Sequence, residues 1–124
     1  MIIALDIDGT ISEHPQLFAA LSRSFTTAGD TVLILTYRDP ANADRTIQEL
    51  QAWGIQFDEV VYSPSLEAKG EICERLGVNV FFDDQDECLC EVPESVLSLK
   101  IRNGGNFDFE EKKWLSTEKL TRLI

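Results

Sequence analysis

The stretch MIIALDIDGTIS, residues 1–12, governs the interpretation of the whole chain. A run of apolar residues typical of a buried strand ends in two carboxylates, Asp6 and Asp8, and these are followed by Gly9 and Thr10. Two like charges a few ångströms apart each make ionisation of the other more costly. A strand with a purely structural role gains nothing from such a pair, so the sequence predicts a compensating charge close to it.

Length and composition limit the classes of protein to consider. The chain has 124 residues, enough for one hydrophobic core, which predicts a single domain over residues 1–124. Its 22 acidic and 11 basic residues give a net charge of −11, which disfavours nucleic acid as a partner but leaves room for a local basic rim. No run approaches the roughly 18 apolar residues of a membrane span, and Asp6 and Asp8 interrupt any signal-peptide core. We expect a cytoplasmic protein with no membrane partner.

The three cysteines, Cys73, Cys88 and Cys90, are an odd number and lack the spacing of a zinc site. In a cytosolic protein such residues remain reduced. We therefore expect three thiols and no disulfide.

Short apolar runs alternate with helical patterns, as in a parallel sheet that is covered on both faces. The predicted strands are residues 2–5, 31–35, 59–62, 79–82 and 96–101. The predicted architecture is therefore an α/β fold, a three-layer Rossmann-like sandwich with about five parallel strands.

Three helices are predicted between the first four strands. The first begins at Pro15, the second at Asp39 and Pro40, and the third at Ser63 or Ser65. The first is predicted to face the core through Leu17, Phe18, Leu21 and Phe25. Weaker patterns predict short helices at residues 86–92 and 116–124 and a loop at 103–106.

Polar side chains stand where the predicted strands end, and parallel sheets bind ligands at that edge. They are Asp6 and Asp8 after the first strand, Thr36 at the end of the second, and Asp83 and Asp84 after the fourth. Lys69 lies near the start of the helix that precedes the fourth strand. These groups are predicted to converge on one edge of the sheet.

This combination is typical of phosphoryl transfer. Asp6, Asp83 and Asp84 supply the hard oxygen ligands that Mg²⁺ takes, and the cation makes the clustered carboxylates tolerable. Lys69 and the Thr36 hydroxyl can hold phosphate oxygens. A glycine after the strand lets backbone N–H groups approach a phosphate closely.

The predicted reaction is hydrolysis of a phosphate monoester. Asp6 attacks phosphorus in line and forms an aspartyl-phosphate. Asp8 first protonates the leaving oxygen and then activates the water that hydrolyses the intermediate. The sequence therefore predicts an Mg²⁺-dependent phosphatase.

Over about residues 1–90 the chain resembles the haloacid dehalogenase superfamily of phosphohydrolases. The four motifs of that superfamily are matched in order by 6–10, by the apolar run ending in Thr36, by Lys69 and by 80–84. Residues beyond these carry no motif.

The resemblance implies a role for each matched residue. Asp6 is the nucleophile, and Asp8 is the acid and base whose backbone carbonyl also binds Mg²⁺. Asp84 is the expected direct metal ligand, while Asp83 binds through water or orients the other ligands. The expected phosphate-binding residues are Gly9, Thr36, Tyr37 and Lys69.

Members of the superfamily that act on small metabolites usually carry a cap domain after the first or second motif. Here 25 residues (positions 11–35) separate Thr10 from Thr36, and 32 (positions 37–68) separate Thr36 from Lys69. One helix and one strand fill each interval, so no cap fits. An open site implies either a macromolecular substrate end or a homo-oligomer in which a neighbouring subunit closes the site.

Several alternatives stay open at this point. The Asp83-Asp84 pair and the run Thr36-Tyr37-Arg38 are similar to those of nucleotidases and polynucleotide-end phosphatases within the superfamily. A catalytically silent interaction module with the same fold is the other alternative. Arg38 either contacts a distal group of the substrate or pairs with Asp39 or Asp44.

Two other classes are excluded by motif order. A two-component receiver carries its acceptor aspartate at the end of the third strand and a Ser or Thr after the fourth, and a dinucleotide-binding domain needs Gly-x-Gly-x-x-Gly after a strand. Neither pattern occurs in the chain.

Overall fold

The computed structural model describes residues 1–115, so the helix predicted at residues 116–124 lies outside the described residues. Within them, the main sheet has five strands: β1 (Ile2–Leu5), β2 (Thr31–Thr36), β3 (Glu59–Tyr62), β4 (Val80–Asp83) and β5 (Leu97–Lys100). Their order is β3-β2-β1-β4-β5, and neighbouring strands pair in parallel. The predicted α/β architecture is confirmed, with strand ends within one residue of the prediction.

Among residues 1–115, four α-helices cover this sheet: α1 (Pro15–Thr27), α2 (Ala43–Ala52), α3 (Ala68–Arg75) and α4 (Asp86–Leu89). Because successive strand residues point to opposite faces, β1 contributes to two cores. Ile3 and Leu5 pack with Phe18 of α1 and Leu50 of α2. On the other face, Ala4 belongs to the core that contains residues of α3 and α4. The result is the predicted arrangement of three layers.

The inward face of α1 differs from the prediction. Phe18 is fully buried, but Leu17 is 52% exposed and Ser22 lies in the core instead. The Ser22 hydroxyl donates to the backbone oxygen of Ala19 and accepts from the backbone N–H of Gln56. These two bonds satisfy the hydroxyl, so a polar residue takes a place that hydrophobic periodicity assigns to an apolar one.

Helix starts also differ from the prediction. Asp39 caps a single 3₁₀ turn at Pro40–Asn42, and α2 begins only after it. Helix α3 begins at Ala68, later than the predicted start at Ser63 or Ser65. The Ser65 hydroxyl accepts a hydrogen bond from the N–H of Ala68. Likewise, α4 ends at Leu89, short of residue 92.

The loop predicted at residues 103–106 is present, and a small hairpin follows it. Its strands, β6 (Phe107–Asp108) and β7 (Lys113–Trp114), pair antiparallel. The sequence did not predict this hairpin, since strands of two residues carry no readable alternation.

Two further findings concern the cysteines and the membrane. The described part of the chain contains all three cysteines, and no disulfide joins them. Within residues 1–115, no helix combines the length and apolar character needed to cross a membrane.

Candidate active site

The strand order reverses between β1 and β4, the place where open parallel sheets bind ligands. Asp6 follows β1 directly, Asp83 is the last residue of β4, and Asp84 comes next. All three carboxylates are buried, and one oxygen from each lies within 4.8 Å of the others. The predicted convergence of these acidic groups is therefore present.

Lys69, in the first turn of α3, supplies a positive charge to this cluster. Its Nζ donates to Asp6 Oδ1 at 2.8 Å and to Asp83 Oδ2 at 2.9 Å, and the residue is only 1% exposed. Burial alone would lower the pKa of Lys69, but the charges of Asp6 and Asp83 outweigh burial and raise it. Lys69 is therefore a charged ammonium group that links the two strand ends.

One ammonium group does not balance three buried carboxylates. Burial raises the pKa of Asp6 well above its usual value, although the charge of Lys69 opposes the rise. Burial also raises the pKa of Asp84. Because buried carboxylates stay ionised only with compensating charge, the cluster is short of positive charge.

The hydrogen bonds of the two adjacent aspartates differ. Asp83 Oδ1 accepts from the backbone N–H groups of Asp84 and Gln85, and its Oδ2 accepts from Lys69. Asp84 Oδ1 is buried and has no hydrogen-bond partner within residues 1–115. An orphaned carboxylate oxygen beside two other carboxylates fits a divalent cation, and a buried acidic triad of this kind could hold one.

A wide turn at Ile7–Ile11, with non-helical backbone angles at Asp8 and Gly9, carries the rest of the first motif. Thr10 Oγ1 donates to Asp6 Oδ2 at 2.9 Å, which fixes the carboxylate from the side opposite Lys69. The N–H of Gly9 donates to Ser12 Oγ. Gly9 has a φ of +89°, and a Cβ there would overlap the carboxylate of Asp84. Gly9 thus makes room for Asp84 beside the first motif.

Asp8 is paired with Arg38. The guanidinium donates from Nε to Asp8 Oδ2 at 2.9 Å and from Nη2 to Asp8 Oδ1 at 2.8 Å. Arg38 also donates to Thr46 and Glu49 of α2. Of the two alternatives for Arg38, pairing with Asp39 or Asp44 is wrong, because its acidic partners are Asp8 and Glu49.

These hydrogen bonds affect the ionisation of Asp8. The hydrogen bonds from Arg38 lower the pKa of Asp8 below its usual value. In this geometry Asp8 is a carboxylate at neutral pH.

A cavity of about 150 Å³ opens at this edge of the sheet. The predicted residues in its wall are Asp6, Asp8, Thr36, Tyr37, Lys69 and Asp83, joined there by Arg38, Leu66 and Gln85. The predicted site residues Gly9 and Asp84 do not line this cavity; Asp84 belongs to the buried acidic triad, and Gly9 leaves the space that the Asp84 carboxylate occupies. A second cavity of about 290 Å³, lined by residues 38–49, has Arg38 in its wall as well.

Two residues of the site, Asn103 and Asn106, come from the segment beyond residue 90, which matches no motif of the superfamily. Asn103 and Asn106, on the loop after β5, are buried. Asn103 Nδ2 donates to Asp84 Oδ2 at 3.0 Å and to the backbone oxygen of Gly9 at 2.8 Å. Asn106 Nδ2 donates to the backbone oxygens of Asp84 and Ile101. Two asparagines flanking a Gly-Gly pair were the only sequence signal, and it predicts a loop.

Comparison with known proteins identifies the family of the chain. A family model described as 5'-nucleotidase matches residues 17–107, an interval that includes Thr36, Lys69, Asp83 and Asp84 and begins after Asp6 and Asp8. No curated protein sequence matches the chain.

Among solved structures, the chain is similar to one titled "Crystal structure of universal stress protein in complex with cAMP". The TM-score is 0.50 and the identity 11%, over 81% of this chain and 96% of that chain. At this identity the likeness shows the fold alone. The family model, by contrast, matches most of the chain. The chain therefore belongs to the 5'-nucleotidase family, a phosphatase family whose substrates are phosphorylated small molecules.

Proposed function

We propose that the chain hydrolyses nucleoside monophosphates to a nucleoside and phosphate, in an Mg²⁺-dependent reaction that passes through an aspartyl-phosphate on Asp6. The observation that carries the proposal is the position of Asp6 in the wall of the cavity, fixed by Lys69 on one oxygen and by Thr10 on the other. A nucleophile needs this kind of fixed position for in-line attack. Membership of the 5'-nucleotidase family and the resemblance to the haloacid dehalogenase superfamily support the same reaction.

In the first step, Asp6 attacks phosphorus, a bond forms between its carboxylate oxygen and phosphorus, and the ester P–O bond breaks. The leaving oxygen takes a proton from Asp8. In the second step, Asp8 removes a proton from water, which attacks phosphorus and releases phosphate from Asp6. Lys69, Thr36 and Tyr37 line the cavity where the phosphate oxygens would lie.

The pairing with Arg38 suits one of these two steps. It favours the ionised form of Asp8, which is the base needed for the attack of water. The first step needs the protonated carboxyl group. The contact with Arg38 disfavours that form, so the pairing favours the second step over the first.

The residues present fit a divalent cation. Three buried carboxylates share one ammonium group, and Asp84 Oδ1 has no partner within the described residues. Asp6, Asp84 and the backbone carbonyl of Asp8 would hold the ion, with Asp83 orienting Lys69 behind them. When bound, Mg²⁺ neutralises the charge that develops on the phosphoryl oxygens. Lys69 supplies further positive charge beside Asp6.

The size of the cavity supports a phosphate site at its floor. A volume of about 150 Å³ is smaller than that of typical pockets for drug-sized ligands, which run from roughly 300 to 1,000 Å³. The nucleoside would therefore lie outside, towards the second cavity, and Arg38 borders both. A neighbouring subunit of a homo-oligomer would complete the wall there, and a polynucleotide end is the alternative substrate for an uncovered site.

The test is phosphate release from a panel of nucleoside 5'-monophosphates and an aryl phosphate, with Mg²⁺ and with a chelator. We expect activity with Mg²⁺ that Asp6→Asn abolishes. Asp30→Asn is the matched control, because Asp30 pairs with the amino terminus at the opposite end of the sheet. Both variants remove one carboxylate charge, so only a loss specific to Asp6→Asn supports the proposal.

Two outcomes separate the alternatives. If wild type and Asp6→Asn are equally inactive with every substrate and with Mg²⁺ present, the chain is a silent interaction module. Size-exclusion chromatography with light scattering tests the closing subunit. A monomer that hydrolyses only small phosphates contradicts the explanation of the open site.

A further inference from the structure

The loop between β5 and β6 brings an amide side chain into the acidic cluster. Asn103 is 8% exposed, and its partners Gly9 and Asp84 belong to two other segments, the first motif and the end of β4. The amide therefore joins three parts of the chain at the carboxyl edge of the sheet. No motif matched by the resemblance includes this position.

The hydrogen bonds fix which way the amide group of Asn103 faces. Its Oδ1 accepts from the backbone N–H groups of Gly105 at 2.8 Å and Asn106 at 3.2 Å. Those two partners are donors, so the oxygen must face them and the Nδ2 group must face the other way. Its two hydrogens then reach two acceptors, the carbonyl of Gly9 and Asp84 Oδ2. Every hydrogen-bonding position of the Nδ2 group is used.

The hydrogen bond from Asn103 makes the two carboxylate oxygens of Asp84 different from each other. Oδ2 is occupied by Asn103, and Oδ1 is left without a partner within residues 1–115. The carboxylate occupies the space that a Cβ at position 9 would fill, because such an atom would overlap both Asp84 Oδ2 and its Cγ. The backbone of Asp84 is held separately, because Asn106 Nδ2 donates to its carbonyl. One asparagine holds the main chain and the other the carboxylate.

We propose that Asn103 is a positioning residue for the cation site: by donating to Asp84 Oδ2 and to the Gly9 carbonyl, it fixes the Asp84 carboxylate so that Oδ1 is left to bind the divalent ion. This inference rests on the proposed function, which supplies the ion. Partners that orient a metal ligand typically change metal affinity by about 10- to 100-fold when they are removed.

The structure offers a variant that separates positioning from loop folding. Asn103→Asp keeps an oxygen for the N–H groups of Gly105 and Asn106 but removes the Nδ2 donor. Asn103→Ala removes both sets of bonds. Asn103→Asp also adds negative charge beside the cluster, and added negative charge attracts a cation. Weaker binding by this variant therefore cannot come from weaker attraction of the cation. It reports the lost donor together with the repulsion between the new carboxylate and Asp84, both of which displace the Asp84 carboxylate.

The control removes an asparagine from the other end of the sheet. Asn79 Oδ1 accepts from the N–H of Ile2 at 2.7 Å, far along β1 from Asp6. Asn79→Ala thus loses one hydrogen bond from side chain to backbone without touching the site. Its melting temperature shows what such a loss costs the fold alone.

The experiment titrates the full-length, substrate-free proteins with Mn²⁺ and follows free Mn²⁺ by electron paramagnetic resonance, with melting temperatures recorded in parallel. We expect Asn103→Asp and Asn103→Ala to weaken Mn²⁺ binding by about 10- to 100-fold and Asn79→Ala to leave it unchanged. If Asn103→Ala does not fold, Asn103→Asp decides the question.

Two results would overturn the inference, and they are distinguishable. If the wild type binds Mn²⁺ and Asn103→Asp binds it equally well, Asn103 serves only the loop, and the proposed function stands. If the wild type itself binds no Mn²⁺ at the site, the cation requirement of the proposed function fails and the positioning role fails with it.

Discussion

Arg38 donates hydrogen bonds to both carboxylate oxygens of Asp8, at 2.9 Å and 2.8 Å, although the two residues are 30 positions apart in the sequence. Glu49 and Thr46 hold the same guanidinium from α2. A bidentate pair of this kind has a fixed geometry as well as a charge. Arg38 therefore sets the position of Asp8, even though 63% of the Asp8 side chain is exposed.

A double-mutant cycle measures this dependence. We expect Asp8→Asn to lower kcat for a nucleoside 5'-monophosphate by about 10²- to 10⁴-fold, the usual range for general acid–base catalysis. Arg38→Met should lower kcat by about 10- to 100-fold through misplacement of Asp8. If Arg38 acts through Asp8, the double variant is no slower than Asp8→Asn alone.

In the control cycle, the substitution to methionine is made at Arg23, an exposed arginine of α1, instead of at Arg38. Arg23→Met should leave kcat unchanged in both backgrounds. Multiplicative losses for Arg38→Met and Asp8→Asn would show that Arg38 has a separate role, such as contact with the nucleoside.

Two glycines with the same backbone angle give the second prediction. Gly9 and Gly29 both have a φ of +89°, but a Cβ overlaps Asp84 at Gly9 and meets nothing within 4 Å at Gly29. Alanine at either position should lower the free energy of unfolding by about 1–2 kcal/mol through backbone strain. Gly9→Ala should also displace Asp84 and abolish Mn²⁺ binding and activity.

Urea unfolding and Mn²⁺ titration of both variants check this prediction. Gly29→Ala measures the cost of the positive φ angle alone, and this cost is subtracted from the loss of stability in Gly9→Ala. Equal activity in the two variants, at equal stability, would mean that Asp84 has room to move and that Gly9 is needed only for its φ angle.

The third prediction concerns Lys69, whose ammonium group lies between two buried carboxylates. Lys69→Met leaves Asp6 and Asp83 without their shared positive partner. Removing one member of a buried ion pair costs about 3–5 kcal/mol of stability. We expect that loss in urea unfolding without divalent cation, together with loss of activity.

Arg75→Met provides the comparison, because Arg75 pairs with Glu71 at 3.5 Å on the surface of the same helix. Exposed pairs contribute about 0–1 kcal/mol. A similar small loss in both variants would indicate that the acidic cluster is protonated rather than balanced by Lys69.

The fourth prediction concerns the thiols. Cys73 and Cys88 are buried and Cys90 is exposed. Burial raises the pKa of Cys73 to about 12, and the thiolate is the reactive form. At about pH 8, iodoacetamide should therefore modify Cys90 in the native protein, and all three cysteines in denaturant, as measured by mass spectrometry of peptides.

The raised pKa of Cys73 also predicts how the free energy of unfolding changes with pH. The unfolded thiol has a pKa of 9.0, whereas native Cys73 keeps its proton to about pH 12. Above pH 9.0 the unfolded state loses protons that the native state retains, so its relative free energy falls and stability decreases. For the labelling experiment, the control is the Cys90→Ser protein, which iodoacetamide should leave unmodified under native conditions. Fast native labelling of Cys73 would contradict its burial.

The sheet and its acidic edge were predictable because their signals are local. Four apolar residues before Asp6 and the run before Asp83 mark strands, and parallel strands bring their carboxyl ends together. The partner of Arg38 was not predictable in this way. Two acidic residues lie near it in sequence, yet the fold presents Asp8, 30 positions away.

Asn103 shows the same limit more strongly. Its loop was predicted, but its partners lie 19 and 94 positions away, and nothing in a Gly-Gly loop specifies them. Leu17 and Ser22 illustrate the converse case, because two hydrogen bonds made a buried hydroxyl acceptable where periodicity favours leucine. Sequence patterns describe elements well, while side-chain partners depend on how the elements pack.

The bond between Asn103 and Gly9 also has a consequence for the order of synthesis. A ribosome makes Gly9 94 residues before Asn103, so a growing chain already holds Asp6, Asp84 and Lys69 when the amide is added. Contacts this distant in sequence form late and slowly. The hydrogen bonds that hold the Asp84 carboxylate are therefore complete only when the loop after β5 has reached the turn that follows β1.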